Sequence, residues 1–269
     1  MENHLNSLSR YCIAELPTNV LSDFKTAIES VRDELKLNDN VFRGVDGFLA
    51  KYFEKPSWSP AVKDTIRGAK SADIVKLSRD IFNIVRLGTL MDWLVDFRSR
   101  FFTADPKIRF RCEPITTPEL RFSASIYFET EDISTAAGST RVYGEYHHGD
   151  AHVAGDDNGF LPFAARALQV FKAQPTRHFL HAFILHGTTL ELWVFDRAGA
   201  YSSELIDLGH NPQELLRILA GYGMMDDKES GVNTFVKCFG LGLDSYVSLS
   251  EDFCFYEDIS SDENISSDE

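Results

Sequence analysis

From Gly144 to Asp157 the chain reads GEYHHGDAHVAGDD, one glutamate, three histidines and three aspartates in fourteen residues. Carboxylates and imidazoles at this density suit a divalent or transition-metal site, or proton transfer through a histidine. His148 and His152 stand four apart, but in a glycine-containing stretch between a predicted strand and a predicted helix, so the spacing does not set two ligands on one helix face. A regulatory transition-metal site is therefore a secondary reading of them. Asp156 and Asp157 fall in the loop before the next apolar stretch, where acids favour a helix N-terminus. The informative part is shorter. Glu145-Tyr146-His147 closes the alternating run TRVYGEYH (140–147), so a carboxylate and an imidazole stand at a strand end.

The elements that must position this pair begin with helices. Val20, Phe24, Ile28, Val31 and Leu35 recur at helical spacing, and Ser59-Pro60 opens a second helix as N-cap and first residue. Ile74, Leu77, Ile81, Val85, Leu90, Leu94 and Phe97 predict a longer helix, broken or bent at Gly88. After Asp105-Pro106 the period becomes alternating. KIRFRCE (107–113), RFSASIYFE (121–129) and TRVYGEYH (140–147) predict three strands. Phe160, Phe163, Ala164, Ala167 and Phe171 mark a helix ended by Pro175. RHFLHAFIL (177–185) and TLELWVFD (189–196) predict a hairpin through His186-Gly187-Thr188, and AYSSELIDL a further strand. Asn211, Pro212 and Glu214 predict a helix with a capping box, and the residues after it read as loop.

Composition bounds the function. The formal charge is −14, but residues 251–269 hold eight acids and no Lys or Arg, so the other 250 residues carry −6. No basic excess supports sequence-independent phosphate binding, and Arg109 and Arg111 read as the solvent face of a strand. Cys12, Cys112, Cys238 and Cys254 have no zinc spacing and suit a reducing compartment. No apolar run approaches the length of a membrane span, and the first residues lack a signal-peptide pattern. These features predict a cytoplasmic or nuclear protein with no membrane association. ISSDENISSDE reads as a disordered solubilising tail whose serines also fit acid-directed phosphorylation.

The element order predicts an α/β (α+β) chain: a helical N-terminal region, 1–104; a mixed sheet flanked by helices, 105–250; and the acidic tail, 251–269. Helix, three strands, helix, strand is the order of restriction-endonuclease-like folds.

Two motifs point further. Gln174-Pro175-Thr176-Arg177 ends one helix, and Phe195-Asp196-Arg197-Ala198-Gly199 closes the hairpin, with Ser202 or Ser203 beyond. In this order they resemble the segment that precedes the kinase lobes in the fungal-type protein kinase family, over about 140–235. The resemblance implies kinase lobes downstream, but the 269 residues contain no β3 lysine or catalytic-loop aspartate, so the expectation is that the lobes are absent. It also implies a nuclease-like core of the PD-(D/E)xK type, in which two carboxylates hold a divalent metal and a lysine activates water. The matching positions are Pro118-Glu119 upstream, Glu145, and His147 where the lysine would stand. Asp132 is a second upstream acid.

The expected function is a non-catalytic interaction or regulatory module, a pseudoenzyme with a degenerate site. Its partner would be a protein such as a full-length kinase relative, or a nucleic acid, and no cofactor is expected. The alternative is a metal-dependent nuclease with Glu119, Glu145 and His147 as metal ligands and catalytic residues, using Mg²⁺ or Mn²⁺. A phosphotransfer role rests on the family resemblance alone. In the motifs, Gln174 and Arg177 are expected to fasten the helix end to the strand. Asp196 is expected to anchor the hairpin turn, with Arg197 paired to a nearby acid. A contact of Asp196 and Arg197 to a partner lobe or nucleotide is the other reading.

Overall fold

The structure is a computed structural model that describes residues 40–54, 58–68, 71–101, 108–115, 122–130, 140–149, 157–233, 236–241 and 244–249. The helix expected around Val20–Leu35, the acidic tail, Glu119 and Asp132 lie outside these residues.

The chain enters through a two-residue strand, β1 (Val41–Phe42), and a π-helical turn (Ala50–Glu54). Helices α1 (Ser59–Gly68), α2 (Ser71–Asp80) and α3 (Leu87–Phe101) follow. Three strands come next, β2 (Ile108–Pro114), β3 (Ser123–Thr130) and β4 (Thr140–His147), then α4 (Asp157–Ala173). Strands β5 (Phe179–His186), β6 (Thr189–Asp196), β7 (Ala200–Ser202) and β8 (Ile206–Asp207) precede α5 (Gln213–Met224). The strands form one eight-stranded sheet of order β1-β7-β6-β5-β4-β3-β2, with β8 also pairing β6. β4 and β5 run parallel and β1 runs parallel to β7, while the other neighbours are antiparallel, so the sheet is mixed as expected. The parallel β4–β5 pair requires a crossover, and α4 supplies it.

Helices cover both faces. On one, the side chains of α1, α2, α3 and α5 pack with Val142, Tyr146, Phe183, Leu185 and Leu192. On the other, Phe160, Phe163 and Ala167 of α4 pack on Tyr143, Ala182, Trp193 and Phe195. β4 is accordingly buried along all but its last residue, as a strand with both faces covered must be.

Four local expectations are corrected. The helix drawn from Ile74 to Phe97 does not bend at Gly88, which sits in the first turn of α3; it breaks at Ile84–Arg86, after a 3₁₀ turn. Tyr146 explains the position of the break. Its hydroxyl, from β4, lies 2.8 Å from the Ile81 carbonyl and 3.0 Å from that of Ile84, so its one hydrogen is shared between two acceptors where the helix ends. AYSSELIDL is not one strand. The Ser203 hydroxyl accepts the Leu192 amide while its own amide donates to the Leu192 carbonyl, and this local exchange separates β7 from β8. The capping box of α5 does not form: no side chain caps the helix, and Glu214 instead binds Arg217 one turn on, at 2.9 Å from its Nε. Finally, where loop was expected beyond residue 232, β9 (Val236–Leu241) and β10 (Asp244–Leu249) form an antiparallel hairpin. In its register Phe239 is the backbone partner of Tyr246 and Val236 that of Leu249.

Candidate functional site

Alternation along β4 sends Tyr143, Glu145 and His147 to the α4 face while Tyr146 anchors the opposite face. Register then sets their neighbours. Glu145 pairs with Ser125 of β3 and Ile184 of β5, and Ile184 with Glu191 of β6; His147 pairs with Ser123 and His186, and His186 with Thr189. The result is two polar rows at the carboxyl ends of the parallel strands, where open α/β sheets offer a crevice.

Glu145 is 3% exposed, and both its oxygens are engaged. Oε1 accepts from Arg166 Nη1 at 2.7 Å and from the Tyr143 hydroxyl; Oε2 lies 2.9 Å from His147 Nε2. An ionised carboxylate only accepts, so His147 Nε2 carries a hydrogen. Nδ1, 3.0 Å from Ser123 Oγ, is then engaged as well. Burial pushes the Glu145 carboxyl up, but the Arg166 guanidinium, His147 and the tyrosine outweigh it and hold the group down at about 2. Burial and the adjacent carboxylate together raise the Tyr143 hydroxyl well above its ordinary range.

A cavity of about 70 Å³ opens beside this network, bordered by Glu145, His147, His186, Glu191, Trp193 and Arg43. The His147 and His186 rings lie 5.6 Å apart. Arg43, next to β1, holds its guanidinium 5.1 Å from the Phe160 ring centre and 5.0 Å from that of Trp193, with Nη1 3.5 Å from Glu191 Oε1. Burial raises the Glu191 carboxyl, opposed by Ser202 and Arg43.

Of the residues expected to hold a metal, Glu145 and His147 are brought together and Glu119 lies outside the described residues. The pair as placed does not fit a divalent ion. Its lone pairs face Arg166, Tyr143 and Ser123, and the flanking strands offer serine and isoleucine in place of a second carboxylate. Among the described residues no group of three His, Cys, Asp or Glu is placed to hold a metal. Sequence reasoning missed Arg166, Tyr143, Ser123, Glu191, His186 and Arg43. Arg166, a lone cation inside the apolar run FAARALQVF, was the one legible signal that α4 covers a buried charge.

The model of the fungal protein kinase family matches residues 130–263, from the end of β3 through the β9–β10 hairpin. This segment is kinase-related. No curated protein and no solved structure matches the chain.

Within the fungal protein kinase segment, the two motifs are scaffold. Arg177 is 1% exposed, and its guanidinium donates to the carbonyls of Phe179, Thr140, Arg141 and Ser230 and to the Gln174 side chain. Gln174 Nε2 also reaches the Thr140 carbonyl at 2.8 Å, so the pair fastens the end of α4 to the start of β4. Burial, reinforced by the neighbouring Arg141, lowers the Arg177 guanidinium to about 9. Asp196 Oδ1 accepts the amides of Ala198 (2.7 Å) and Gly199 (2.9 Å), an Asx turn that closes the hairpin. Among the described residues Arg197 pairs with no acid, contrary to expectation. It donates to the Pro175 carbonyl, one of the acceptors left over past the end of α4, so the second motif latches onto the first. Gly199 is required by closeness: a Cβ there would sit 2.2 Å from the Asn40 carbonyl oxygen, which accepts the Ala200 amide as β1 docks.

Proposed function

We propose that the chain is a non-catalytic interaction module of the fungal protein kinase family, its Glu-x-His pair serving as an internal electrostatic clasp. One observation carries this reading. Both oxygens of Glu145 are committed to Arg166, Tyr143 and His147, so binding a metal would require breaking a buried charge pair. Capture with a full-length family member that carries kinase lobes is the direct test. Stable co-elution is the expected result; a monodisperse chain that retains no such partner overturns it.

A second reading, a metal-dependent nuclease with a restriction-endonuclease-like core, is favoured by one feature. The helix–three strands–helix–strand order sets Glu145 at the carboxyl end of β4 beside a parallel strand. It requires Mg²⁺- or Mn²⁺-dependent cleavage of DNA or RNA, lost in Glu145→Ala, and a melting point raised by the metal. We expect neither. Phosphotransfer requires a melting curve shifted by Mg·ATP, and we expect that curve to stay in place.

A further inference from the structure

The two edges of the sheet differ. β1, at one end of the strand order, has two residues; β2, at the other, has seven in unbroken register with β3, its one strand neighbour among the described residues. The outward amides and carbonyls of an edge strand are a template for a further strand, and soluble proteins guard them by shortening the strand, bulging it or lining it with charge. β1 is guarded by its length. Ile115, one residue past β2, donates its amide to the Ser123 carbonyl at 2.8 Å, so alternation turns the backbone groups of Arg109, Arg111 and Glu113 toward β3. Those of Ile108, Phe110, Cys112 and Pro114 therefore turn to the open side, Pro114 with a carbonyl alone.

β2 does carry charge, but its arginines are drawn back over β3. Arg109 and Arg111 both bond through Nε to the buried Glu129, at 3.0 and 2.6 Å, and the Arg111 guanidinium lies 3.8 Å from the Tyr127 ring centre. On the other face of β2, Phe110 and Cys112 pack against the core and stay only partly buried. A strand of this length with an unshielded backbone and a half-covered apolar face is built for strand addition.

We propose that β2 pairs with β2 of a second copy of this chain, antiparallel about a two-fold axis at Arg111, so that one sheet runs through both molecules. The sequence IRFRCEP selects the copy and the register. Phe110 falls opposite Cys112 in hydrogen-bonded pairs, which completes the burial of both, and Arg109 falls opposite Glu113 in the closer pairs between them. Arg109 and Glu113 are 45% and 55% exposed, so each reaches its opposite charge across the edge. Arg111 faces its own copy at the axis, where Glu129 neutralises it. A two-fold at Phe110 would instead set Arg109 against Arg111, like against like. A two-fold at Cys112 would leave Ile108 and Arg109 without a partner in β2. The contact lies on the far edge of the sheet and does not depend on the module reading.

The test follows the full chain in reducing buffer, which excludes copies linked through cysteine, as its concentration rises. Sedimentation should show the mass going from one chain to two, with half-association between about 10 and 100 µM, the weak range of a contact carried by one strand pair. Amide exchange at Phe110 and Cys112 should slow about tenfold or more on association, while Arg111 and Glu113, already bonded to β3, stay slow throughout. Glu113→Arg sets arginine against Arg109 twice over by symmetry and should weaken association about tenfold, with an unchanged circular dichroism spectrum. Phe42→Ser, at the other edge, should leave association as it is. A chain that stays monomeric up to about 500 µM, association past two chains, a dimer whose Phe110 and Cys112 amides do not slow, full association in Glu113→Arg, or loss of association in Phe42→Ser would each overturn the proposal.

Discussion

His181 sets an acid limit on stability. It lies on β5, fully buried, ringed by Tyr52, Phe53, Phe179 and Tyr222 with ring centres 5.2 to 6.4 Å away. Its Nε2–H donates to the Glu229 carbonyl at 3.2 Å, which fixes the tautomer and leaves Nδ1 against apolar surface. Burial, with the nearby charges of Arg177 and Lys51, lowers the imidazole from 6.5 to about 3. The folded state therefore resists protonation while the unfolded state accepts it below 6.5. Because the unfolded chain then binds more protons, stability falls with decreasing pH throughout that window. At about 1.4 kcal/mol per pH unit, lowering the pH from 7 to 5 costs about 2 kcal/mol through this residue, and the full window about 5 kcal/mol. For a chain of this size 2 kcal/mol corresponds to a melting point about 4–8 °C lower. The assay is urea unfolding of wild type and His181→Gln at pH 7 and pH 5. Glutamine retains a donor for Glu229 without titrating, so subtracting the two slopes cancels every other histidine. The variant should lose about 2 kcal/mol less than wild type between the two pH values; equal losses would refute the assignment of a buried neutral imidazole.

The Glu145–Arg166 pair should behave as a coupled unit. Arg166→Met leaves a buried carboxylate without its cation and is expected to cost about 3–5 kcal/mol, whereas adding Glu145→Gln should recover about half or more; additive losses in urea unfolding would contradict the clasp. Glu145, held at about 2 against its ordinary 4.5, contributes stability above pH 4.5 that is lost as pH falls toward 2. Arg166→Met should move that acid transition upward, read by circular dichroism against pH. Arg177→Lys keeps a charge but cannot serve four carbonyls and an amide at once, so a loss of about 3 kcal/mol, about 6–12 °C in melting point, is expected. Gly199→Ala forces the Asn40 carbonyl away and should release β1, read as faster amide exchange at Phe42 and Ala200 with about 1–3 kcal/mol lost.

How far the sequence carries can be judged element by element. β4 and β6 span the residues their alternation predicts, because each has a short turn or a polar end on both sides. Where long-range partners decide, local pattern fails. The break before α3 depends on a tyrosine 62 residues away in β4, and the division of β7 from β8 on the bonds that the Ser203 hydroxyl and amide make to Leu192 of β6. The capping box failed for a local reason, since Arg217 stands one turn from Glu214 and offers it a full charge where the box offers a single amide. At the site, Glu145 and His147 were legible as a strand-end pair. The residues that decide their chemistry were not, because Arg166 comes from a helix 21 residues on and Ser123 from the antiparallel neighbour 24 residues back.

The family match and the candidate site therefore carry different kinds of information. Gln174, Arg177, Asp196, Arg197 and Gly199 make the resemblance recognisable, and all five hold the sheet together: a helix end tied to β4, a hairpin closed by an Asx turn, and a latch from Arg197 to Pro175 that joins the two motifs. None of the five lines the cavity beside Glu191. A pattern built from backbone-capping residues specifies a scaffold, because each of them satisfies main-chain groups that any sequence on this fold must satisfy. Binding chemistry is written on the side chains that the scaffold leaves facing outward. Here the cavity is bordered by Glu145 and His147 of β4, His186 of β5 and Glu191 of β6. A resemblance carried by scaffold residues thus leaves the cavity bordered by Glu145, His147, His186 and Glu191 to be tested on its own chemistry.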